Sequence, residues 1–508
     1  MTLILLTLLF SCPGTPDEPG EDTDESGAEP GGADADGDGH GAAVDCDDAD
    51  PAIHPGANES DTPCDGVDND CDGRIDGGFR VPDDYALPSE AVAAASGGDS
   101  VCVGPGTYVD NVRFGGKDIQ LIGVAGAAAT VLMGATGGGS VVRFEDHESA
   151  DALLRGFTIS GGEAESGAGI YVGDRTWPTL EQLVVADNIC LASSCAGTGI
   201  YLDGAGEMVV RDTIVTRNLQ WSPSPQAAGM LIYGHAALTD VEVSFNEITV
   251  TGPPEMDSDT VLGGAILVVG IVTFTRVSIV GNRVDLTPRP ETSVYGVGLH
   301  LDHTNGTFQN VVVADNVALC AGSLAGGVYM ENSHASFTNV VIAGNQLDCD
   351  GRIRGGFGAG AYLGGTVTMT NVDIVGNALT GDSPGDYGGL YTYDAVLTNV
   401  SVADNAIATP LPGAAGAMPI YEGVTILYSS FSNNGDDPFG GAPSPIGTSG
   451  VIEGTPDYLD LTSASAAAWD LTLGPGSDLR DAGDPAILDA DGTRSDIGSR
   501  GGPLGLDW

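Results

Sequence analysis

The chain has 508 residues, with 71 acidic side chains against 17 basic ones and a formal net charge of −54. A surface this negative repels phosphate backbones and anionic lipid headgroups, so the composition argues against nucleic acid as a partner and favours divalent cations. The length suits either two or three compact domains or one long solenoid, in which each repeat packs only on its neighbours.

The N-terminus has the features of an export signal. Residues 3–10 form an apolar run that is too short to span a bilayer. The sequence Leu9-Phe10-Ser11-Cys12 resembles the bacterial lipoprotein lipobox, in which the cysteine is acylated, although Phe10 and the lack of a preceding Lys or Arg depart from that pattern. We expect residues 1–12 to be a signal peptide and Cys12 to anchor an outer-membrane lipoprotein, with plain secretion as the alternative.

The cysteine count supports export to an oxidising compartment. The chain has nine cysteines, and removal of Cys12 leaves an even number. Cys190 and Cys195 are close enough in sequence for a local disulfide. Cys320 and Cys349 occupy equivalent repeat positions, where they pair between adjacent coils or are simply small buried residues.

An acidic region follows the export signal. Residues 13–33 are rich in Pro, Gly, Glu, Asp and Ser, which predicts a disordered linker. Residues 34–78 then carry aspartates at alternate positions near a turn glycine, as in the loop of an EF-hand, and these are the candidate metal ligands: Asp34, Asp36, Asp38, Asp45, Asp68, Asp70, Asp72 and Asp76. In the second loop Phe79 occupies the last ligand position, so that site is incomplete or is completed by Asp47 or Asp48. A metal-free acidic linker is the alternative.

The acidic region also resembles a bacterial metal-binding family. The segments Asp45-Cys-Asp-Asp-Ala-Asp-Pro and Cys64-Asp-Gly-Val-Asp-Asn-Asp-Cys-Asp-Gly are similar to the metal-binding motif named after the copper-associated protein MopE. The family name implies copper. The residues themselves favour calcium, because hard oxygen ligands at this spacing select Ca²⁺, whereas copper prefers imidazole and sulfur.

A unit that ends in asparagine recurs through the rest of the chain, as in Phe274-Thr-Arg-Val-Ser-Ile-Val-Gly-Asn282. Its spacing runs from 28 residues (218 to 246) to 36 residues (246 to 282), which suits a three-sided coil with one variable loop. The terminal asparagines are Asn188, Asn218, Asn246, Asn282, Asn316, Asn345, Asn377, Asn405 and Asn434.

The columns of this unit predict a β-strand with one buried face. Val277 and Ile279, five and three residues before Asn282, are aliphatic, as are their counterparts, and the residue between them varies freely. This period-two alternation puts one face in a core and the other in water. We expect each asparagine to lie at a turn, to tolerate a left-handed backbone and to stack as an amide ladder between coils.

A glycine-rich second strand precedes each unit, as in Gly167-Ala-Gly-Ile-Tyr-Val. The two strands together resemble the right-handed parallel β-helix repeats of the pectate-lyase-like superfamily. The resemblance implies an all-β solenoid over residues 83–446, opened by a short cap helix over 88–96 and followed by a C-terminal capping segment over 447–508. That last segment contains three aspartates, Asp489, Asp491 and Asp496. They could hold a further calcium, or they could belong to an ordinary turn rich in Asp and Gly.

The second strand predicts an external stripe of side chains. Ile170 and Val172 face inward, so Tyr171 between them faces outward, and coils that stack about 4.8 Å apart align the equivalent positions. The candidate ligand-binding residues are Tyr171, Tyr201, His300, Tyr329, Tyr362 and Tyr391. Aromatic faces stack on the C–H groups of sugars while nearby carboxylates accept hydroxyl hydrogens. Loops that cover this face, with the tyrosines as ordinary packing, are the alternative.

Asp302 and Glu331 fall on successive coils of the same face and are the candidate catalytic pair. A separation of about 5–6 Å between their carboxyl groups would suit retaining glycoside hydrolysis. Calcium binding or chance in an acidic chain explains such a pair equally well. The sequence contains no Ser-His-Asp signature, P-loop or zinc motif.

These features together predict a calcium-binding, monomeric surface protein that acts in adhesion or polysaccharide binding rather than in catalysis. The asparagine-ending units are also similar to the repeats of chlamydial polymorphic outer-membrane proteins, which favours adhesion. A polysaccharide lyase or glycoside hydrolase on the same scaffold is the alternative, because β-helices carry both functions.

Overall fold

A computed structural model describes residues 33–58, 63–251, 260–287, 292–320, 322–349, 358–380, 385–408 and 410–505. The predicted signal peptide, with Cys12, and residues 13–32 of the predicted linker lie outside these ranges. The chain divides into two compact units. One takes in the chain up to Asn58 together with Asp68–Gly73, and the other takes in Glu59–Val67 together with Arg74–Trp508.

The larger unit is a parallel β-helix of about nine turns, which confirms the predicted fold class. Its first coils use short strands of the main sheet: Arg80–Val81, Ser100–Val103, Gly106–Val109, Val112–Arg113, Gln120–Gly123, Thr130–Met133, Val142–Phe144, Leu153–Arg155, Thr158–Ser160, Ile170–Val172, Thr179–Glu181 and Val184–Ala186. The later coils continue that sheet with Ile200–Thr216, Met230–Ser244, Ile266–Val280, Leu299–Asp302, Asn305–Ala314, Val328–Ala343, Ala361–Val375, Leu390–Thr392, Ala395–Ala403, Val424–Leu427 and Ser430–Ser432.

Two smaller parallel sheets form the remaining sides of the coils. The second sheet contains Ile189–Cys190, Leu219–Ser222, Glu247–Val250, Arg283–Asp285, Val317–Cys320, Gln346–Cys349, Ala378–Thr380 and Ala406–Ile407. The third sheet contains Cys195–Ala196, Pro225–Gln226, Thr260–Leu262, Ser293–Tyr295 and Gly322–Ala325. Gly385–Tyr387 pairs with Pro410–Ala415, and Tyr458–Asp460 pairs antiparallel with Asp470–Leu473.

The predicted aliphatic columns fill the interior of the coils. Val277 and Ile279 are buried, and they pair in register with Val241 and Val243 of the preceding coil. Phe308 packs in the same core, where its ring stacks on that of the next coil. The long, continuous column of apolar side chains is the main source of stability, because its burial removes apolar surface from water along the whole solenoid.

The asparagines form the amide ladder that the repeat predicts. Asn218 Nδ2 donates to Asn246 Oδ1 at 2.9 Å, and the backbone N–H of Asn218 donates to the same oxygen at 3.0 Å. The same pair of bonds recurs in each coil from Asn188 to Asn434. Each buried amide is therefore satisfied by the next coil, which fixes the register of the stack.

The left-handed residue of each turn lies one position earlier than expected. The backbone of Asp187, Arg217 and Phe245, each directly before a ladder asparagine, has φ between 52° and 57°. The ladder asparagines themselves are outside the left-handed region in the described chain. The prediction was wrong on this point because the asparagine must direct its amide along the stack, so the preceding residue makes the turn.

Helix Pro88–Ala94 lies near the start of the β-helix, after the strand Arg80–Val81, where the cap helix is predicted. The chain has a single lysine, Lys117, and its Nζ donates to the carbonyl oxygens of Val92, Ala93 and Ala95 at 2.8–3.0 Å. The charge thus satisfies carbonyl groups that a helix end leaves without partners. No helix among the described residues has the length and apolarity needed to cross a membrane.

The C-terminal segment lies along the side of the last coils. The carboxylate of Asp315 accepts hydrogen bonds from Ala466 N–H and Ser465 Oγ, and Asn339 Nδ2 donates to Ser499 O and Gly501 O at 2.8 Å. The predicted capping segment therefore packs across several coils. The end of the interior column is packed by Phe439 and Val451.

Candidate metal centre and aromatic stripe

Two loops of the smaller unit share one hydrogen-bonding pattern. In the first loop Asp34 accepts hydrogen bonds from the N–H groups of Gly37 and Gly39, and in the second loop Asp68 accepts them from Asp72 and Gly73. Gly39 and Gly73 have φ of 101° and 91°, which an L side chain rarely adopts. The first aspartate and the glycine five residues later thus close each loop, as the predicted turn requires.

Three carboxylates of the first loop each leave one oxygen without a partner. Asp36, Asp38 and Asp45 use Oδ1 to accept a backbone N–H two residues further on. The Oδ2 atoms of the same three residues are inaccessible to solvent and have no hydrogen-bond partner among the residues that the structure describes. Buried polar atoms without partners are rare in folded proteins, and three carboxylate oxygens in this state fit a bound cation.

The charges in this loop are held close together. The candidate ligand atoms of Asp34, Asp36 and Asp38 lie within 4.8 Å of one another. Burial raises the pKa of Asp36, and the neighbouring Asp38, Asp45 and Asp34 carboxylates raise it further. Repulsion of this kind is relieved when a divalent ion neutralises the cluster, so the donor set fits the calcium that the sequence predicts.

The second loop repeats the first half of this arrangement. The candidate ligand atoms of Asp68, Asp70 and Asp72 lie within 4.8 Å of one another. Asp76, the fourth predicted ligand, is buried, and its carboxylate accepts a hydrogen bond from Gly66 N–H at 3.1 Å. Ligation by Asp76 stays a prediction.

Sulfur and imidazole groups are also present in the smaller unit. Cys46 and Cys71 lie beside Asp45, but they form a disulfide with an S–S distance of 2.06 Å, so they offer no thiolate to a metal. The rings of His40 and His54 stack with centroids 4.9 Å apart. The first loop therefore offers carboxylate oxygens, with the imidazole of His40 directly after its turn glycine.

Further disulfides lie in the larger unit. Cys64 is bonded to Cys102, and Cys190 is bonded to Cys195, which confirms the predicted local bridge. Cys320 and Cys349 are register partners on adjacent coils, as the repeat predicts. A disulfide between those two stays a prediction.

The predicted stripe is continuous in register. Tyr171 pairs with Tyr201, and further along the solenoid His300 pairs with Tyr329, which pairs with Tyr362, which pairs with Tyr391. On the N-terminal side the next partner of Tyr171 is Arg143, whose guanidinium lies 4.2 Å from the centre of the Tyr171 ring. The side chains at these positions therefore form one column along the outward face of the sheet, as predicted.

The middle of the stripe is covered rather than external. His300 and Tyr329 are each only 4 % exposed, because Tyr295 of the third sheet packs against both rings. Burial lowers the pKa of His300 to about 4, so its ring is neutral at physiological pH. Leu231 and Leu267, which occupy the same column, are also buried. These positions do not offer a binding surface, which corrects the expectation for His300 and Tyr329.

The tyrosine rings also stack on one another. The ring centroids of Tyr171 and Tyr201 are 5.3 Å apart with an interplanar angle of 2°, and those of Tyr362 and Tyr391 are 4.8 Å apart with an angle of 3°. Burial raises the pKa of Tyr362 to about 12. Because each face is covered by the next ring, the expectation that every ring offers its face to a sugar is corrected, and packing between coils is their first role.

Accessible aromatic surface lies at the C-terminal end of the stripe. Tyr393 is 46 % exposed and Tyr421 is 37 % exposed, and both rings meet Tyr391 edge-on at 6.5 Å and 5.7 Å. Tyr421 is absent from the candidates predicted by sequence. It follows Tyr393 by 28 residues, which equals the shortest repeat spacing, so the sequence could have identified it as the counterpart of Tyr393 on the next coil.

The candidate catalytic carboxylates are in register but are each engaged by a neighbour. Asp302 pairs with Glu331 on the adjacent coil, as predicted. Glu331 accepts a hydrogen bond from the Tyr329 hydroxyl at 2.9 Å, and Asp302 lies 2.7 Å from His303 Nδ1. Catalysis by this pair stays a prediction.

The three C-terminal aspartates stabilise turns. Asp489 Oδ1 accepts a hydrogen bond from Gly502 N–H at 2.6 Å, and Asp496 Oδ1 accepts one from Asp481 N–H at 2.7 Å. Asp491 Oδ1 accepts hydrogen bonds from both donors of Thr493. Each of these carboxylates thus has at least one oxygen that accepts a hydrogen bond within the segment, which favours the turn interpretation over a further calcium.

The fold and the loop define a parallel β-solenoid chain preceded by an acidic segment with clustered carboxylates. A family model described as a putative metal-binding motif of the copper-binding MopE type matches residues 45–77, which include Asp45 and the second loop. No curated protein matches the chain, and no solved structure matches it.

Proposed function

We propose that the chain is an exported surface protein that binds calcium through residues 34–78 and polysaccharide through its β-helix. The observation that carries the calcium assignment is the set of unpartnered, buried oxygens of Asp36, Asp38 and Asp45. They are hard donors at EF-hand spacing, which suits Ca²⁺, whereas copper is best held by imidazole and sulfur. These three residues would hold the ion while Asp34 closes the loop.

Export to an oxidising compartment is supported by the disulfides. The bonds Cys46–Cys71, Cys64–Cys102 and Cys190–Cys195 would be reduced in most cytosolic environments. We assign the lipid anchor to Cys12. Metabolic labelling with a palmitate analogue tests it, because the wild-type chain should incorporate the label and the Cys12→Ala variant should not.

Polysaccharide binding is supported by the C-terminal end of the stripe. Tyr393 and Tyr421 expose ring surface there, and the hydroxyls of Tyr387 and Tyr421 lie 3.4 Å apart. Asp394 lies next to Tyr393 and accepts a hydrogen bond from Thr366 Oγ1 at 2.9 Å. Rings that stack on C–H groups beside oxygens that bond hydroxyls are the chemistry that a sugar polymer requires.

A glycan array followed by titration tests this part of the proposal. We expect at least one polysaccharide to bind, and the Tyr393→Ala and Tyr421→Ala variants to weaken it at least tenfold. Trp221 is the matched control, because it is 55 % exposed but lies on the second sheet, so Trp221→Ala should bind normally. Failure to bind any glycan, or equal binding by all variants, would refute the proposal.

A second candidate function is glycan cleavage, favoured by the register of Asp302 and Glu331. In that case the carboxyls on adjacent coils would act as acid and nucleophile on a bound glycosidic bond. Incubation of the chain with a polysaccharide it binds separates the two functions. Shortened products that disappear in Glu331→Gln would establish the enzyme, and intact polymer would leave binding alone.

A further inference from the structure

Within the described part of the chain, the asparagine ladder ends at Asn434, where hydrogen-bonding groups that earlier coils use have no partner. In each earlier coil the backbone N–H and one amide hydrogen of the asparagine donate to the next Oδ1, as Asn405 does to Asn434 at 3.1 Å and 3.0 Å. Asn434 is the last member of the ladder in the described chain, and its Nδ2 donates to Val402 O at 2.8 Å. In the earlier coils the backbone N–H and the other amide hydrogen donate to the Oδ1 of the next asparagine. At Asn434 the same two donors point to the position that the Oδ1 of a further ladder asparagine would occupy.

An unused acceptor lies beside these donors. The carbonyl oxygens of Asn345 and Asn377 accept the N–H of Ala378 and Ala406, each at 2.9 Å, and in this way the second sheet grows by one strand per coil. Within the described residues the carbonyl of Asn405 accepts no such bond, because Ala406–Ile407 is the last strand of that sheet. The end of the ladder thus offers both donors and an acceptor.

A cavity of about 530 Å³ occupies this position. Asn434, which is only 3 % exposed, lines it together with Asn405 and Ala406. The remaining wall is about half apolar, with Ile407 and Ala414, and half polar, with Asp404 and the exposed Asp436 among its acidic residues. A buried amide therefore faces a space large enough for a sugar residue, with carboxylates around it.

We propose that this cavity binds the acetamido group of an N-acetylated amino sugar. The acetamido oxygen takes the place of the missing Oδ1 and accepts from Asn434, and the acetamido N–H donates to the carbonyl of Asn405. The carboxylates of Asp404 and Asp436 accept hydrogens from the sugar hydroxyls, which is why a sugar fits better than a peptide amide. This inference rests on the proposed polysaccharide binding and names the class of sugar.

Titration of the full chain with three hexasaccharides tests the proposal: the hexamer of N-acetylglucosamine, the hexamer of glucosamine and cellohexaose. We expect the N-acetylated hexamer to bind at least tenfold more tightly than the other two, because only its acetamido group can satisfy both halves of the site. An N-acetylated dipeptide amide is included as the peptide probe and should not bind.

Two variants locate the binding at the cavity. Ala406→Trp fills it without altering the ladder and should lower affinity at least tenfold, and Asp436→Asn should weaken binding by removing a hydroxyl acceptor. Ala378→Trp is the matched control, because Ala378 is the register partner of Ala406 one coil earlier. Melting curves check that each variant is folded.

The outcomes separate this inference from the proposed function. Equal affinity for the three hexamers, tighter binding of the peptide probe, or full binding by Ala406→Trp overturns the acetamido site. If the chain still binds another glycan through Tyr393 and Tyr421, the proposed function stands. If no glycan binds at all, both fail.

Discussion

The indole ring of Trp469 lies against Gly376, where an added Cβ atom would come within 2.7 Å of the ring. Gly376 occupies the turn column in which other coils carry Asp187 or Arg217. Because Gly376 has no side chain, the indole ring can pack against the backbone there and hold the C-terminal segment against the solenoid. We expect Gly376→Ala to displace Trp469 and destabilise the chain by about 1–3 kcal/mol, the usual range for overpacking. Tryptophan fluorescence and proteolysis of residues 455–505 would report the change.

The control for this variant is Gly115→Ala. Gly115 has φ of 64°, almost the same as the 65° of Gly376, but an added Cβ atom there meets nothing within 4 Å. It therefore measures the backbone strain alone. Equal destabilisation by the two variants, with the fluorescence of Trp469 unchanged, would show that the contact does not hold the segment.

The amide ladder should contribute measurably to stability. Asn282→Ala removes the oxygen that accepts both the backbone N–H and the Nδ2 of Asn246, and so leaves two buried donors without a partner. We expect a loss of about 2–5 kcal/mol in the free energy of unfolding, measured by chemical denaturation. Asn305→Ala, on an exposed part of a strand, should change it by less than about 0.5 kcal/mol. Similar losses in both would contradict a structural ladder.

Asp373 should give the chain a distinctive dependence on pH. Burial raises the pKa of Asp373 despite hydrogen bonds from Ser499 and Tyr458. The folded chain therefore holds this proton more tightly than the unfolded chain. The stability it contributes is fully present below the unfolded pKa of about 3.9 and is lost as the pH rises through the folded pKa. The melting temperature of the wild type minus that of Asp373→Asn should fall as the pH is raised to 7.

The opposite sign is expected for Asp460. The Thr462 hydroxyl and N–H hold the pKa of Asp460 below its usual value, so its contribution is lost as the pH falls. The melting temperature of the wild type minus that of Asp460→Asn should therefore rise with pH. If the Asp373→Asn difference also rose with pH, the burial argument for Asp373 would be wrong.

The periodic part of the fold could be predicted because its causes are local and repeated. Val277 and Ile279 alternate with polar residues, and each asparagine recurs at the repeat spacing, so the interior column and the ladder follow from the sequence alone. The spacing of Asp34, Asp36 and Asp38 likewise predicts a loop that gathers carboxylates. Each of these features depends on residues close together in the chain or one coil apart.

The features that could not be predicted depend on contacts across many coils. Nothing in the sequence near Gly376 indicates that Trp469 will pack on it, and nothing near Tyr329 indicates that Tyr295 will cover it. Outward orientation follows from strand alternation, but exposure depends on what else packs there. For the same reason the predicted register of the stripe is right, whereas the predicted exposure of its middle residues is wrong.

Calcium titration of the purified chain by calorimetry tests the central claim most directly. We expect Ca²⁺ to bind the wild type and Asp45→Asn to bind it at least tenfold more weakly, because Asp45 Oδ2 is one of the three buried oxygens without a hydrogen-bond partner among the described residues. Asp50→Asn, an exposed carboxylate of the same region, should bind normally. Preferential binding of copper over calcium, or calcium binding that is unchanged by Asp45→Asn, would contradict the account.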